Sequence, residues 1–125
     1  MRSQNPKFAL GVLYYYVKIV TMITQEQIND LKDTIVEGIH PEKIILFGSY
    51  AHNTARDDSD LDVLIIQKTD LPRLQRSRKI FPLLRKFDFP MDILVYTPQE
   101  VEKWQDVPMA FITNIISSGK VLYGG

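Results

Sequence analysis

Between Lys43 and Ile66, two apolar runs flank a polar stretch that opens on Gly48-Ser49 and closes on Asp60-Leu61-Asp62. No other feature constrains the fold as much. Lys43-Ile-Ile-Leu-Phe47 and Leu61-Asp-Val-Leu-Ile-Ile66 are short, rich in β-branched residues and nearly continuous in hydrophobicity. That pattern predicts strands inside a sheet covered on both faces. Successive strand side chains alternate between faces, so residues two apart share one face, roughly 6–7 Å apart along the chain. Asp60 and Asp62 are such a pair, and two carboxylates side by side are rarely tolerated without a cation between them. Gly48 lets a backbone approach an anion closely, Ser49 offers a hydroxyl, and a helix start after them would present N–H groups to phosphate. Together these features suggest a metal-dependent site for a nucleoside triphosphate.

The rest of the chain reads as alternating helices and strands. Thr24-Gln25-Glu26-Gln27 is a capping-box start, and Ile28, Leu31, Ile35, Val36 and Ile39 recur at helical spacing until Gly38 and Pro41. Ser49 to Asn53 is expected to be the first turn of a short helix. Asp70-Leu71-Pro72 opens a helix expected to reach Lys86, with Leu74, Ile80, Phe81, Leu83, Leu84 and Phe87 as apolar positions and Pro82 dividing it. Met91 to Tyr96 is a third strand. Thr97-Pro98-Gln99-Glu100 begins another helix, which Trp104 is expected to anchor. A last helix is expected over 108–117, capped at Gly119, followed by a short edge strand at Val121–Tyr123. This order predicts an α/β (α+β) domain, a mixed sheet with helices packed against it.

The Gly48-Ser49 and Asp60-x-Asp62 segment, with the further Asp92 in Pro-Met-Asp-Ile-Leu-Val-Tyr, resembles the signature of the polymerase-beta-like nucleotidyltransferases. It is most similar to their small single-domain members, the minimal nucleotidyltransferases (MNT), over about residues 22–125. The resemblance implies the nucleotidyltransferase fold, with Asp60, Asp62 and Asp92 gathered at one sheet edge as metal ligands and catalytic groups. It implies Gly48 and Ser49 as the nucleotide-binding turn, two Mg²⁺ ions as cofactors and ATP as substrate. It also implies transfer of AMP to a hydroxyl and an antitoxin role towards a HEPN-domain ribonuclease toxin, by adenylylation or by contact alone. Many members carry Ala-Arg-Gly after the Gly-Ser-aromatic, whereas this chain has Ala51-His52-Asn53. Asn tolerates a left-handed backbone next best to Gly, so the turn is expected to survive while a fixed cation is lost.

The chemistry suits the residues. Mg²⁺ prefers oxygen ligands and usually combines one or two carboxylates with substrate phosphates. Asp60 and Asp62 would bridge such ions, and Asp92, opening its own strand, would serve the acceptor hydroxyl. Asp88 is a rival, but it lies before Pro90, outside the strand. Arg73, Arg76, Arg78, Lys79, Arg85 and Lys86 form a basic segment, read first as a solvated helix face. His40 and His52 lack metal-site spacing. Tyr14, Tyr15 and Tyr16 read as packing groups before base-stacking ones.

Composition narrows the remaining classes. There is no cysteine, which excludes disulfides, thiolate nucleophiles and zinc-thiolate sites and fits a cytoplasmic location. The formal net charge is zero, so no global field draws the chain to nucleic acid or membrane, and no direct nucleic-acid binding is expected. Residues 1–21 are expected to be an N-terminal extension, either a leader ahead of Met22 or an element that packs on the domain or a neighbour. Its apolar run is too short to span a bilayer and lacks a small-residue cleavage site. Residues 22–125 form the expected nucleotidyltransferase domain, with homo-oligomerisation open. A drug-modifying transferase would need a second domain, a nucleotide-sugar glycosyltransferase does not fit the upstream Gly-Ser, and the P-loop motif is missing.

Overall fold

The computed structural model of the protein describes residues 22–104 and 106–125. The expected extension and its three tyrosines lie outside these residues. Thr24 caps the first helix, α1 (Gln25–Ile39): its hydroxyl accepts from the Gln27 N–H while the Gln27 side chain accepts from the Thr24 N–H. Ile28, Leu31 and Ile35 are buried along its inner stripe. The helix stops because His40, not a glycine, takes the left-handed conformation, with φ 48°. Gly38 lies inside the helix, where a Cβ would stand 2.6 Å from a Leu83 methyl.

The strands fall where the sequence puts them. β1 (Lys43–Phe47) and β2 (Leu61–Ile66) pair antiparallel, β2 and β3 (Met91–Tyr96) pair parallel, and β4 (Lys120–Tyr123) joins β1 antiparallel as an edge. The spatial order is β3-β2-β1-β4, a mixed sheet. β1 and β2 are central, and both faces are covered, which explains their unbroken apolar runs. On one face, Ile44, Leu46, Leu61, Val63, Ile65, Ile93 and Val95 pack against α1. On the other, Ile45, Leu64 and Ile66 pack with Val101, Ile112 and Ile115 of the C-terminal helices.

Between the strands, the helices depart from the sequence pattern for identifiable reasons. After β2, α2 (Arg73–Ile80) gives way to a 3₁₀ turn (Phe81–Leu84), because Pro82 cannot donate to the helical ladder. Only Ile80 and Leu84 of that stretch are buried, while Leu74 is 84% exposed. α3 (Pro98–Trp104) starts on a second reciprocal box, Thr97 N–H to Glu100 and Glu100 N–H to Thr97 Oγ1. Trp104 does not anchor it inward: the indole is 42% exposed. α4 (Phe111–Ser118) begins three residues later than its sequence suggests, since Met109 takes φ 65° and breaks the helical path. Gly119 follows α4 in extended rather than left-handed conformation. A Cβ there would sit 2.6 Å from Ile45 Cγ2, so this glycine allows close packing against β1.

The basic 73–86 segment is not simply a solvated face. Arg76 is nearly buried, its side chain 10% exposed, and donates to the Leu71 and Val95 carbonyls and to Glu100 at 2.6 Å. Arg73 pairs with the other Glu100 oxygen at 3.2 Å and lies over the Tyr96 ring. The clamp ties α2, β3 and α3 together. Arg78, Lys79, Arg85 and Lys86 do remain exposed.

Partial burial works to raise the Glu100 pKa. Hydrogen bonds from Arg76, the Thr97 N–H and Arg73 and the Arg76 charge outweigh it and pull the pKa to about 2. A carboxylate with a folded pKa below its unfolded one stabilises above the unfolded value, and the gain disappears as pH falls through the folded value. Glu100→Gln should therefore cost about 1–2 kcal/mol at neutral pH, allowing for the solvent that reaches the cluster. Urea unfolding at pH 7 and near pH 2 checks this: the gap between variant and parent should close in acid.

Candidate functional site

The pairing of β2 with β3 sets the site. Leu61 lies opposite Met91, and this register brings Asp62 directly abreast of Asp92 on the adjacent parallel strand. Across β1, the partner of Asp62 is Phe47, the residue before the Gly48-Ser49 turn. Asp60 is the residue just ahead of β2, on the same side of the alternation as Asp62. The three acids and the turn thus meet at one end of the sheet, on the face that carries Leu64 and Leu94. Asp88 is exposed in the loop before β3.

Gly48 is required where it stands. Its φ is +73°, a conformation that L side chains avoid, and a Cβ there would overlap the Asp62 carboxylate. The turn and the acid therefore lie in contact. Ser49–Asn53 forms hydrogen-bonded turns, not the start of a helix. Ala51 N–H donates to Gly48 O, while His52 and Thr54 N–H both donate to Ser49 O. Asn53 closes the turn with φ 58°, the left-handed role expected of it in place of Gly. The Ser49 and Tyr50 amides meet no acceptor among the described residues. Tyr50 Oη accepts the Ile23 N–H at 3.0 Å, which fastens the turn to the entry of α1. That long-range bond had no signal in the sequence.

The acids are electrostatically unbalanced. Among the described residues no Lys, Arg or His forms an ion pair with Asp60, Asp62 or Asp92. Burial raises the Asp62 pKa above its ordinary value, and the neighbouring charges of Asp92 and then Asp60 raise it further. Crowded carboxylates lacking a protein cation are suited to a divalent metal. Among the described residues, however, no three acidic or imidazole groups already enclose an ion by themselves. The donor set fits Mg²⁺ in its usual form, where one or two carboxylates hold the ion and substrate phosphates finish the shell.

Two clefts lie near the acids, one beside the turn and one that reaches from Phe111, next to Phe47, to Tyr96 at the far end of β3. One, of about 290 Å³, lies behind the turn and is lined by Met22, Ile23, Tyr50, Asn53 and Lys120 among others. A second, of about 300 Å³, lies between Arg73, Tyr96, Trp104, Ala110, Phe111 and Ile112. Its Phe111 stacks edge-on against Phe47 with centroids 5.9 Å apart. A roomier cleft of about 500 Å³ opens at the opposite end, around Lys43, Ile66 and Gly124, away from the acids. Size alone does not mark the chemistry here.

Comparison with known proteins follows the same residues. The pattern of the family described as Polymerase beta, Nucleotidyltransferase matches residues 29–125. One protein of Methanocaldococcus jannaschii, provisionally named a protein adenylyltransferase, is 39% identical over 54 residues, 43% of this chain and 54% of its own length. The chain thus spans about half of that relative. A second provisionally named protein adenylyltransferase of the same organism is 32% identical over 82 residues, 66% of this chain and 78% of its own. Two solved toxin–antitoxin structures share the fold. One, determined with AMP-PNP, has TM-score 0.55 and 21% identity, and the other, a MntA-HpeT mutant, has TM-score 0.56 and 19% identity. Each alignment covers 78% of this chain and 73% of the other.

Asp62 has a raised folded pKa, so the fold penalises its ionised form, and stability is lost as pH rises through that value. Replacing it by a neutral isostere removes the repulsion. In metal-free buffer at pH 7, Asp62→Asn should melt higher than the parent by on the order of 2–4 °C. Added Mg²⁺ should raise the parent's midpoint and leave the variant's unmoved. Differential scanning calorimetry decides the point, and a lower-melting Asp62→Asn would refute the crowding argument.

Proposed function

We propose that this chain, which belongs to the polymerase beta nucleotidyltransferase family, transfers AMP from ATP to a hydroxyl of a partner protein. The observation that carries the proposal is the trio Asp60, Asp62 and Asp92, which among the described residues has no ion-pair partner, against a glycine-serine turn whose Ser49 and Tyr50 amides meet no acceptor there. Adenine as the base is supported by the adenylyltransferase names of the two relatives and by the AMP-PNP structure of a protein of the same fold. A toxin as acceptor is supported by the toxin–antitoxin complexes that share the fold, and a HEPN-type ribonuclease is the specific partner we propose. The cysteine-free chain suits cytoplasmic work.

Asp60 and Asp62 would hold two Mg²⁺ ions together with the triphosphate, and Asp92 would complete the shell on the acceptor side. When bound, the ions supply Lewis-acid polarisation of the α-phosphoryl group and charge neutralisation of attacking and leaving oxygens. The Ser49 and Tyr50 amides and the Ser49 hydroxyl receive the outer phosphates, and the missing Cβ of Gly48 leaves room beside Asp62. The acceptor oxygen attacks the α-phosphorus in line. Its O–P bond forms as the bond from the α-phosphorus to the bridging oxygen breaks. Pyrophosphate departs with that electron pair. Asp92, abreast of Asp62, accepts the hydroxyl proton and returns it to solvent.

One feature favours a second function, inhibition of the partner by contact alone: His52 stands where the family resemblance implies a fixed cation. Incubation with [α-³²P]ATP, Mg²⁺ and the cognate toxin separates the two. Transfer of label to the toxin should fall at least 100-fold in Asp60→Ala and Asp62→Ala, as loss of a metal ligand does. Unlabelled toxin that is still inhibited by both variants would assign the chain to contact inhibition.

A further inference from the structure

We infer that the aromatic groove between the end of β3 and the ends of α2, α3 and α4 seats the nucleobase of the nucleotide. The inference rests on the nucleotide-transfer function proposed above. Continuity is the first argument. Asp92, Leu94 and Tyr96 alternate onto one face of β3, the face that carries Asp62 and Phe47. From Asp92 to Tyr96 the strand runs about 13 Å. Phe111 forms the near wall and touches Phe47, the cross-strand partner of Asp62. Tyr96 and Arg73 form the far wall. A nucleoside held at the acids by its α-phosphate is therefore on the same face as the groove and one strand length from it.

The second argument is the character of the walls. Phe111 is 55% exposed and Trp104 is exposed as well, although both lie over the apolar side of the sheet. The fold leaves both rings partly open to solvent. The adjacent charges are cationic, with Arg73 over Tyr96 at 4.5 Å and Lys103 near Trp104 at 5.3 Å. The Glu100 carboxylate beside Arg73 is occupied by Arg73 and Arg76. Flat apolar faces with cationic edges suit an uncharged heteroaromatic ring, which stacks on aromatic side chains and accepts hydrogen bonds at its edge nitrogens. The space of about 300 Å³ admits one ring system with its sugar and no folded partner.

Trp104 is the only tryptophan in the chain, so the groove reports on itself. With the full-length protein, ATP–Mg²⁺ should quench Trp104 fluorescence, and inorganic tripolyphosphate–Mg²⁺, which has no base, should bind without quenching. By calorimetry, Trp104→Ala and Phe111→Ala should each weaken ATP–Mg²⁺ binding about 5- to 50-fold, the effect of losing one stacking surface. Tripolyphosphate affinity should stay at the parent value, and Trp104→Phe should restore most of the ATP affinity. Unchanged ATP binding in both alanine variants would overturn the inference. If those variants instead bound ATP normally but failed to modify the toxin, the groove would belong to the acceptor and the inference would fall. A parent protein that binds neither ATP nor tripolyphosphate would remove the nucleotide function itself, a different failure from losing ATP selectivity alone.

Discussion

Mutual repulsion between Asp62 and Asp92, fixed abreast by a parallel strand register, is the constraint around which the molecule is arranged. Parallel pairing needs a crossover, and the chain supplies one in α2 and the 3₁₀ turn between β2 and β3. The crossover is then held by burial of Ile80 and Leu84 and by the Arg76–Glu100 pair. These contacts are remote from the acids, yet they hold the register. A slip of one residue in β3 would turn Asp92 to the α1 face and send Ile93 to the other. The apolar core thus opposes the charge repulsion at its edge.

The fold was legible wherever local chemistry and tertiary packing agreed. All three long strands match their sequence ranges because their β-branched runs are buried as the pattern requires. Both capping boxes formed, since each is satisfied by residues within one helical turn. Disagreement arose where distant contacts decide. Gly38 read as a helix stop, but it lies inside α1 and the space it frees is taken by Leu83. Gly119 does cap α4, yet in extended conformation and against Ile45, so packing rather than a left-handed turn requires it.

The site divides along the same line. Gly48, Ser49, Asp60 and Asp62 fall in one segment and could be paired by spacing alone. The place of Asp92 beside Asp62 depends on which strands are neighbours, and only the register of β2 with β3 brings them together. The Arg73–Arg76–Glu100 clamp and the aromatic groove were beyond the reach of sequence. Arg73, Tyr96, Trp104 and Phe111 come from four separate elements, and no local pattern distinguishes a lysine or arginine stripe in water from one folded against a carboxylate.

The same division bears on His52, where the family resemblance implies a fixed cation. Gly48 through Asn53 keeps its backbone path, with Asn53 supplying the left-handed step. Backbone amides do not depend on side-chain identity, and the Ser49 and Tyr50 N–H groups meet no acceptor among the described residues. What does not survive is a fixed positive charge, and His52 is exposed. Lys120, at the start of β4, lines the cleft behind the turn with Tyr50 and Asn53, and β1 holds it opposite Leu46. A lysine there is a mobile point charge on a long stem, weaker in geometry than a guanidinium but adequate in sign. Under the proposed function the turn would supply the directional part of anion recognition from its backbone, and the Coulombic part would rest mainly on metal at the acids. Nucleotide binding should then depend more steeply on divalent cation than it would with a guanidinium built into the turn.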